Sequence, residues 1–296
     1  MAKQRVHAIL TDYDGTLVRT AEAKNPETNI VPSQLEEILE KVCSEIPICV
    51  ISTKDFEFLR NKTIAFAKVL SCMMGIETLV LRNHHGSPRT TVEKRILYGD
   101  LQMLQLKSKA LEAIAEEISS CEGFSSILIE RKHTSDGILA GLTIDWRHLS
   151  DGDWSYYKRG ITHFVSSKVA NLRKSPVPID IYVQKYSEHP FVDIYSIECN
   201  KGIAFDIVIS ALAYTPVESK RILYLGDSEN DNPAFRKAGI SIGIRSDARL
   251  NPKLNCTYLL NYEQLPSFLV KLRNNGYMFN DDDDELLREV RKKKKS

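Results

Sequence analysis

Four groups of residues in this chain could act together: Asp12 with Asp14, Ser52, Lys201, and Asp227 with Asp231. Each stands at the end of a short apolar run or at the start of a helical one. Carboxylates crowded at a strand end repel each other and lose hydration, so they need a compensating cation or hydrogen bonds. At this density, with no His or Cys at ligand spacing beside them, they favour a hard, oxygen-seeking cation such as Mg²⁺. A lysine and a hydroxyl next to that cation can hold a tetrahedral anion. The set points to phosphoryl transfer, in which positioning and charge neutralisation supply most of the catalysis. Taken alone, Asp12-Tyr13-Asp14-Gly15 also has a lesser reading, a strand entering an Asp-Gly turn.

The elements that must bring these residues together alternate along the chain. Apolar runs at 6–11, 46–51 and 77–81 read as buried strands. Between them, 33–42 has helical spacing with Ser33 and Glu36 in a capping-box pattern, and 54–69 is a second helical stretch. The stretch 19–31 is polar and poorly periodic, as a loop or small flap would be. From about residue 87 the rhythm changes to helix (99–120), hairpin (126–133 and 138–146 across Thr134-Ser135-Asp136-Gly137), helix (154–173) and two further strands (179–184, 191–197). That is a small α+β unit with an antiparallel sheet. The first rhythm then resumes with a helix from Lys201, strands at 221–225, 240–244 and 257–260, and a last helix at 263–273. In a doubly wound sheet the first strand is central, and its neighbours deliver their carboxyl ends to one crevice. The expected organisation is an α/β core (1–86 plus 198–276), an inserted unit (87–197) and a charged tail (277–296), mobile or partly helical over 285–291.

Composition removes several classes. Forty basic against 39 acidic residues leave a net charge of +1, which gives no reason to expect nucleic acid as a partner. The six cysteines are scattered and lack a C-x-x-C pair, as reduced thiols of a cytoplasmic protein would be. No run of about 18 apolar residues occurs, so no membrane span is expected. The expected partner is a small molecule, and the chain is expected as a monomer or small homo-oligomer.

Asp12-Tyr13-Asp14-Gly15-Thr16-Leu17 resembles the first motif of the haloacid dehalogenase superfamily. Ser52 resembles its second motif, Lys201 its third, and Gly226-Asp227-x-x-x-Asp231 its fourth, in order and over about residues 5–270. The resemblance implies a Rossmann-like core with an inserted cap, and an aspartyl-phosphate formed on Asp12. It implies Asp14 as general acid and base, and Lys201 offsetting phosphoryl charge. Mg²⁺ would be held by the carboxylate of Asp12, the main-chain carbonyl of Asp14 and Asp227. Asp231 completes the metal group, orienting Lys201 or a water on the metal. Ser52, with Thr53 as the fallback, would donate to the phosphoryl group, and Gly15 would let the chain turn beneath it. An Asp at position 14 favours phosphatase or phosphomutase chemistry.

The inserted unit is similar to the cap of the superfamily's sugar-phosphatase branch, which implies a phosphorylated sugar as substrate. His85-Gly86 is similar to trehalose-phosphate phosphatases. Ser52-Thr53-Lys54 is closer to mannosylphosphoglycerate phosphatases, and Ser228-Glu229-Asn230 to sucrose-phosphatase-like members. Trehalose 6-phosphate is the first expectation. A mannosyl- or glucosyl-3-phosphoglycerate or sucrose phosphate is the second, and a phosphomutase or a non-catalytic binding protein the alternative of another class. Lys54 and His85 join Ser52 and Thr53 as substrate-binding candidates. Glu130, Arg131, Lys132, Arg147 and His148 are candidates on the hairpin. Trp146 and Trp154 fit core packing better than sugar stacking.

Overall fold

A computed structural model describes residues 4–19, 22, 28–83, 90–186, 190–246, 252–280 and 285–290. The chain divides into two compact units. The first comprises 1–53, 58–96 and 200–296, and the second 54–57 and 97–199.

The first unit opens with β1 (Gln4–Arg5), β2 (Ala8–Thr11), α1 (Ser33–Cys43), β3 (Ile48–Ile51), α2 (Phe56–Thr63), β4 (Val69–Cys72), β5 (Glu77–Asn83) and β6 (Thr90–Leu97). The second unit contributes α3 (Leu101–Ser120), β7 (Leu128–His133), β8 (Leu139–Asp145), α4 (Asp151–Arg173), β9 (Tyr182–Lys185) and β10 (Phe191–Tyr195). The chain returns to the first unit with α5 (Lys201–Ala211), α6 (Pro216–Ser219), β11 (Ile222–Gly226), α7 (Asn232–Phe235), β12 (Ile240–Arg245), β13 (Tyr258–Asn261), α8 (Leu265–Asn274), β14 (Met278–Phe279) and β15 (Arg288–Glu289).

Nine strands of the first unit form one sheet in the order β15-β13-β12-β11-β2-β3-β4-β5-β6. β13, β12, β11, β2, β3 and β4 run parallel, while β5 pairs antiparallel with β4 and β15 antiparallel with β13. Every residue of β2, β3 and β11 is buried, as central parallel strands with both faces covered require. Ala8, Leu10, Cys49, Ile51, Ile222 and Tyr224 pack on Ala204, Phe205 and Val208 of α5 and on Phe235 of α7. α1, which lies against α8 and β3, covers the other face.

Several elements differ from the sequence reading, each for a local reason. Residues 54–69 are not one helix: α2 ends at Thr63 and Val69–Cys72 forms a strand. Strand β5 is antiparallel to its neighbour, and β6 extends the sheet to residue 97, so the core continues past residue 86. Ion pairs from Arg82 to Glu93 (3.1 Å) and from Arg95 to Glu77 (2.5 Å) tie these two strands together. Ser33 does not cap α1. Pro32 occupies the cap position and makes no side-chain bond, whereas Thr215 and Glu218 form a capping box that opens α6. Where the tail is described it forms short strands and no helix: β14 pairs with β1, and β15 covers the edge of β13. Asp281–Asp284 and 291–296 lie outside the described residues.

The second unit is a four-stranded antiparallel sheet, β7-β8-β10-β9, with α3 and α4 on one face. Leu142, Ile144, Val192 and Ile194 point into that core with Leu111, Ile114, Ile161 and Val165 from the helices. Trp146 is fully buried there, and Trp154 packs at its margin while donating from its indole to the carbonyl of Leu149 (3.1 Å). The expected turn closes the β7–β8 hairpin, with Gly137 at φ +84° and its N–H donating to the carbonyl of Thr134 at 2.8 Å. Among the described residues no helix is long and apolar enough to cross a membrane. Leu142→Ala removes a buried side chain from this small core and is expected to cost about 2–5 kcal/mol. The check is chemical denaturation followed by circular dichroism; an unchanged midpoint would show that the site collapses without loss.

Candidate active site

The carboxyl ends of β2, β3 and β11 lie side by side, because Thr11 pairs with both Val50 and Leu225. The Asp12 N–H continues that ladder by donating to the carbonyl of Leu225 (2.9 Å). Asp12 and Asp227 therefore leave adjacent strands at the same edge, and Ser52 leaves on the other side of β2.

Helix α5 points its first residue at this edge. Asn200 caps it, its side-chain oxygen accepting from the N–H groups of Gly202 (2.9 Å) and Ile203 (3.0 Å), which fixes where the helix begins. The ammonium of Lys201 is fully buried and lies 2.7 Å from Asp12 Oδ2 and 2.7 Å from Asp231 Oδ1. Asp231 is the hub of the group. Its Oδ1 also accepts from the Tyr224 hydroxyl (2.7 Å), and its Oδ2 accepts from the N–H groups of Asp227 and Ser228 (both 3.1 Å) and from the Ser228 hydroxyl (3.2 Å). Both oxygens are thus occupied, and the carboxylate is held in one orientation.

Carboxylate oxygens of Asp12, Asp227 and Asp231 lie within 4.8 Å of one another. Burial, together with Asp231 and Asp14, pushes the Asp12 carboxyl up to about 7 against the pull of Lys201. Its surroundings, then Asp12 and Asp231, push the Asp227 carboxyl well above the ordinary range. Burial alone would lower the Lys201 ammonium, but Asp12 and Asp231 carry it above its usual value. Three carboxylates against one ammonium leave the cluster short of positive charge. A hard divalent cation held by Asp12 and Asp227 fits that shortage, and Asp231, saturated by its own donors, fits a positioning part.

Glycines make this crowding possible. Gly15 adopts φ +85°, and a Cβ there would fall 2.0 Å from Asp227 Oδ2. Its function in the fold is to admit the Asp227 carboxylate, in addition to turning the chain. At Gly226 a Cβ would lie 2.4 Å from the Asp231 carboxyl carbon. Thr16 Oγ1 donates to Asp227 Oδ1 at 3.5 Å, and Asn29 Nδ2 donates to Asp14 Oδ1 at 3.0 Å.

The structure thus brings Asp12, Lys201, Asp227 and Asp231 together, with Gly15 against Asp227. Asp14 is half-buried beside them, two residues after Asp12. Ser52 is buried at the end of β3, its N–H donating to the carbonyl of Ser71 (3.0 Å); Thr53 follows it, half-buried. Lys54 belongs to the second unit, where its ammonium meets both oxygens of Glu130 at 3.0 and 3.1 Å. His84 and His85 lie outside the described residues. The hairpin candidates separate by face. Glu130 and Lys132 lie opposite the helices, whereas Arg131 grips Glu112 of α3 (2.7 Å), Arg147 forks onto Asp145 (2.6 and 2.8 Å), and His148 is exposed. The sequence reading missed Tyr224, Thr16 and Asn29. A hydroxyl inside the otherwise apolar run of β11 is the signal that could have found Tyr224.

Residues 166–263 match the family of haloacid dehalogenase-like hydrolases. The fold is similar to that of a C. albicans trehalose-6-phosphate phosphatase C-terminal domain (TM-score 0.59, 18% identity, covering 92% of this chain and 94% of that one). A trehalose-6-phosphate phosphatase related protein aligns with TM-score 0.57 and 16% identity over 91% of this chain and 98% of its own. A subclass IIB sugar phosphatase of the same superfamily aligns with TM-score 0.50 and 14% identity over 91% and 99%. The family match spans residues 166–263, and the fold of the chain as a whole is similar to those of these phosphatases.

The raised carboxyls carry a stability consequence. A carboxyl whose pKa is higher folded than unfolded binds more protons in the native state. Its contribution is complete below the unfolded value of 3.8 and is lost as pH rises toward 7. In EDTA the protein is therefore expected to melt at a lower temperature at about pH 7.5 than at about pH 5, and Asp12→Asn to flatten the difference. Scanning fluorimetry at the two pH values checks this; a wild type that melts identically at both would remove charge imbalance as the cause.

Proposed function

We propose that the chain is a Mg²⁺-dependent phosphatase of phosphorylated sugars, working through a phosphoryl group carried on Asp12. The observation that carries this reading is the buried Asp12 carboxylate, with the Lys201 ammonium at 2.7 Å, beside Asp227 and two residues before Asp14. An Asp12 oxygen attacks phosphorus, and the bond from phosphorus to the sugar oxygen breaks. Asp14 gives its proton to the departing oxygen. Asp14 then takes a proton from water, whose oxygen attacks phosphorus, and the bond to Asp12 breaks to release inorganic phosphate. Lys201 offsets charge at Asp12, and Ser52 donates to the phosphoryl oxygens. Asp231 and Tyr224 position the ammonium rather than touch substrate.

Asp12, Asp227 and the main-chain carbonyl of Asp14 would hold Mg²⁺. Bound there, it would neutralise charge on the phosphoryl group and on the paired carboxylates. The inserted unit serves as the cap that selects the leaving group. Trehalose 6-phosphate is the first substrate to test, in keeping with the fold shared with trehalose-6-phosphate phosphatases. Sucrose phosphate and mannosyl- or glucosyl-3-phosphoglycerate follow.

Phosphate release from this panel is expected with Mg²⁺ and not in EDTA. Asp12→Asn should lower it by roughly a thousandfold or more with the fold intact. Turnover retained by Asp12→Asn would contradict the nucleophile. A protein that isomerises a sugar phosphate without releasing phosphate, in dependence on a bisphosphate, would be a mutase.

A further inference from the structure

Asn29 lies in the stretch between β2 and α1 that has no helical or strand periodicity, yet it is 1% exposed. Its side-chain amide donates to Asp14 Oδ1 at 3.0 Å. Its carbonyl accepts from the hydroxyl of Tyr13 at 3.3 Å. Tyr13 sits between the two aspartates, is fully buried, and packs edge-on against Phe58 with ring centroids 5.7 Å apart. Residue 29 is therefore fastened to the backbone neighbour of Asp14 by one contact and to its carboxylate by the other. Resting on the phosphatase reading above, we propose that Asn29 is a positioning residue that aims Asp14 as the acid for sugar leaving groups.

The chemistry follows from what an amide can do. The NH₂ of Asn29 donates and cannot accept, so it fixes one carboxyl oxygen without competing for the proton carried by the other. A half-buried Asp side chain left to itself samples several rotamers, and proton delivery to a departing oxygen requires hydrogen-bond reach. An aryl leaving group such as p-nitrophenolate departs as the anion and gains little from an acid. A sugar oxygen departs as a strongly basic alkoxide unless it is protonated as the bond to phosphorus breaks. Aiming the acid therefore matters for one substrate and hardly for the other, a difference that a general loosening of the fold would not produce.

The test measures kcat/KM, which reports the steps through leaving-group departure, for wild type, Asn29→Ala and the isosteric Asn29→Asp. The substrates are p-nitrophenyl phosphate, phenyl phosphate and the best sugar phosphate of the panel, all with Mg²⁺. Both variants are expected to lose about 10- to 100-fold on the sugar phosphate, an intermediate amount on phenyl phosphate, and less than about threefold on p-nitrophenyl phosphate. Equal losses on all three substrates, or no loss on the sugar phosphate, would overturn the assignment while leaving the phosphatase reading in place. Asn29→Asp keeps the shape of the side chain, so it answers the question if Asn29→Ala does not fold. A wild type that hydrolyses none of the three overturns the phosphatase reading itself, and this assignment with it.

Discussion

The first unit is built around an ammonium held between two carboxylates where water does not reach. Lys201 contacts Asp12 and Asp231 at 2.7 Å each, and the desolvation of three ions is recovered only if their geometry is held closely. The supporting structure follows from that demand. The parallel register of β11, β2 and β3 sets Asp12 beside Asp227. Asn200 fixes the first turn of α5, and Tyr224 reaches from inside the sheet to the same Asp231 oxygen as the lysine.

Close approach is the second constraint, and it explains residue types that charge does not. Asp227 can stand near Asp12 only because residue 15 has no Cβ, and Asp231 can fold back under β11 only because residue 226 has none. Gly15 is thus a steric partner of an acid more than two hundred residues away in the chain. The Asp-Gly-Thr sequence looks like a local turn, but its glycine answers to a tertiary contact.

The parts of this arrangement that were legible in the sequence are those in which a local pattern and the tertiary demand coincide. An apolar run ending in Asp12 and Asp14, and another ending in Gly226-Asp227, state both the strand and its acidic end. The β7–β8 hairpin is legible because Thr134 and Gly137 supply the turn chemistry themselves. Val69–Cys72 was hidden because its apolar residues continue the spacing of α2, and only the pairing of Cys49 with Val69 reveals a strand. The antiparallel course of β5 and the edge strand β15 depend on partners that no local window contains. Asn29 is the clearest case at the site: a polar residue in a polar stretch, marked only by where the chain carries it.

The two units each bury a lysine against an aspartate, and the contrast separates a pair neutralised by its neighbours from one that is not. In the second unit Lys132 donates to Asp193 Oδ1 at 3.2 Å, Thr143 donates to the same oxygen, and Tyr186 donates to Oδ2 at 2.8 Å. Both oxygens of Asp193 have donors, and Glu130, whose charge Lys132 also stabilises, is itself paired with Lys54. Around Lys201 one ammonium faces Asp12, Asp227 and Asp231, and the two carboxyls not saturated by neighbours are the two driven upward in pKa. Burial and ion pairing are common to both clusters. What differs is the unneutralised charge, which stands at the carboxyl ends of adjacent parallel strands.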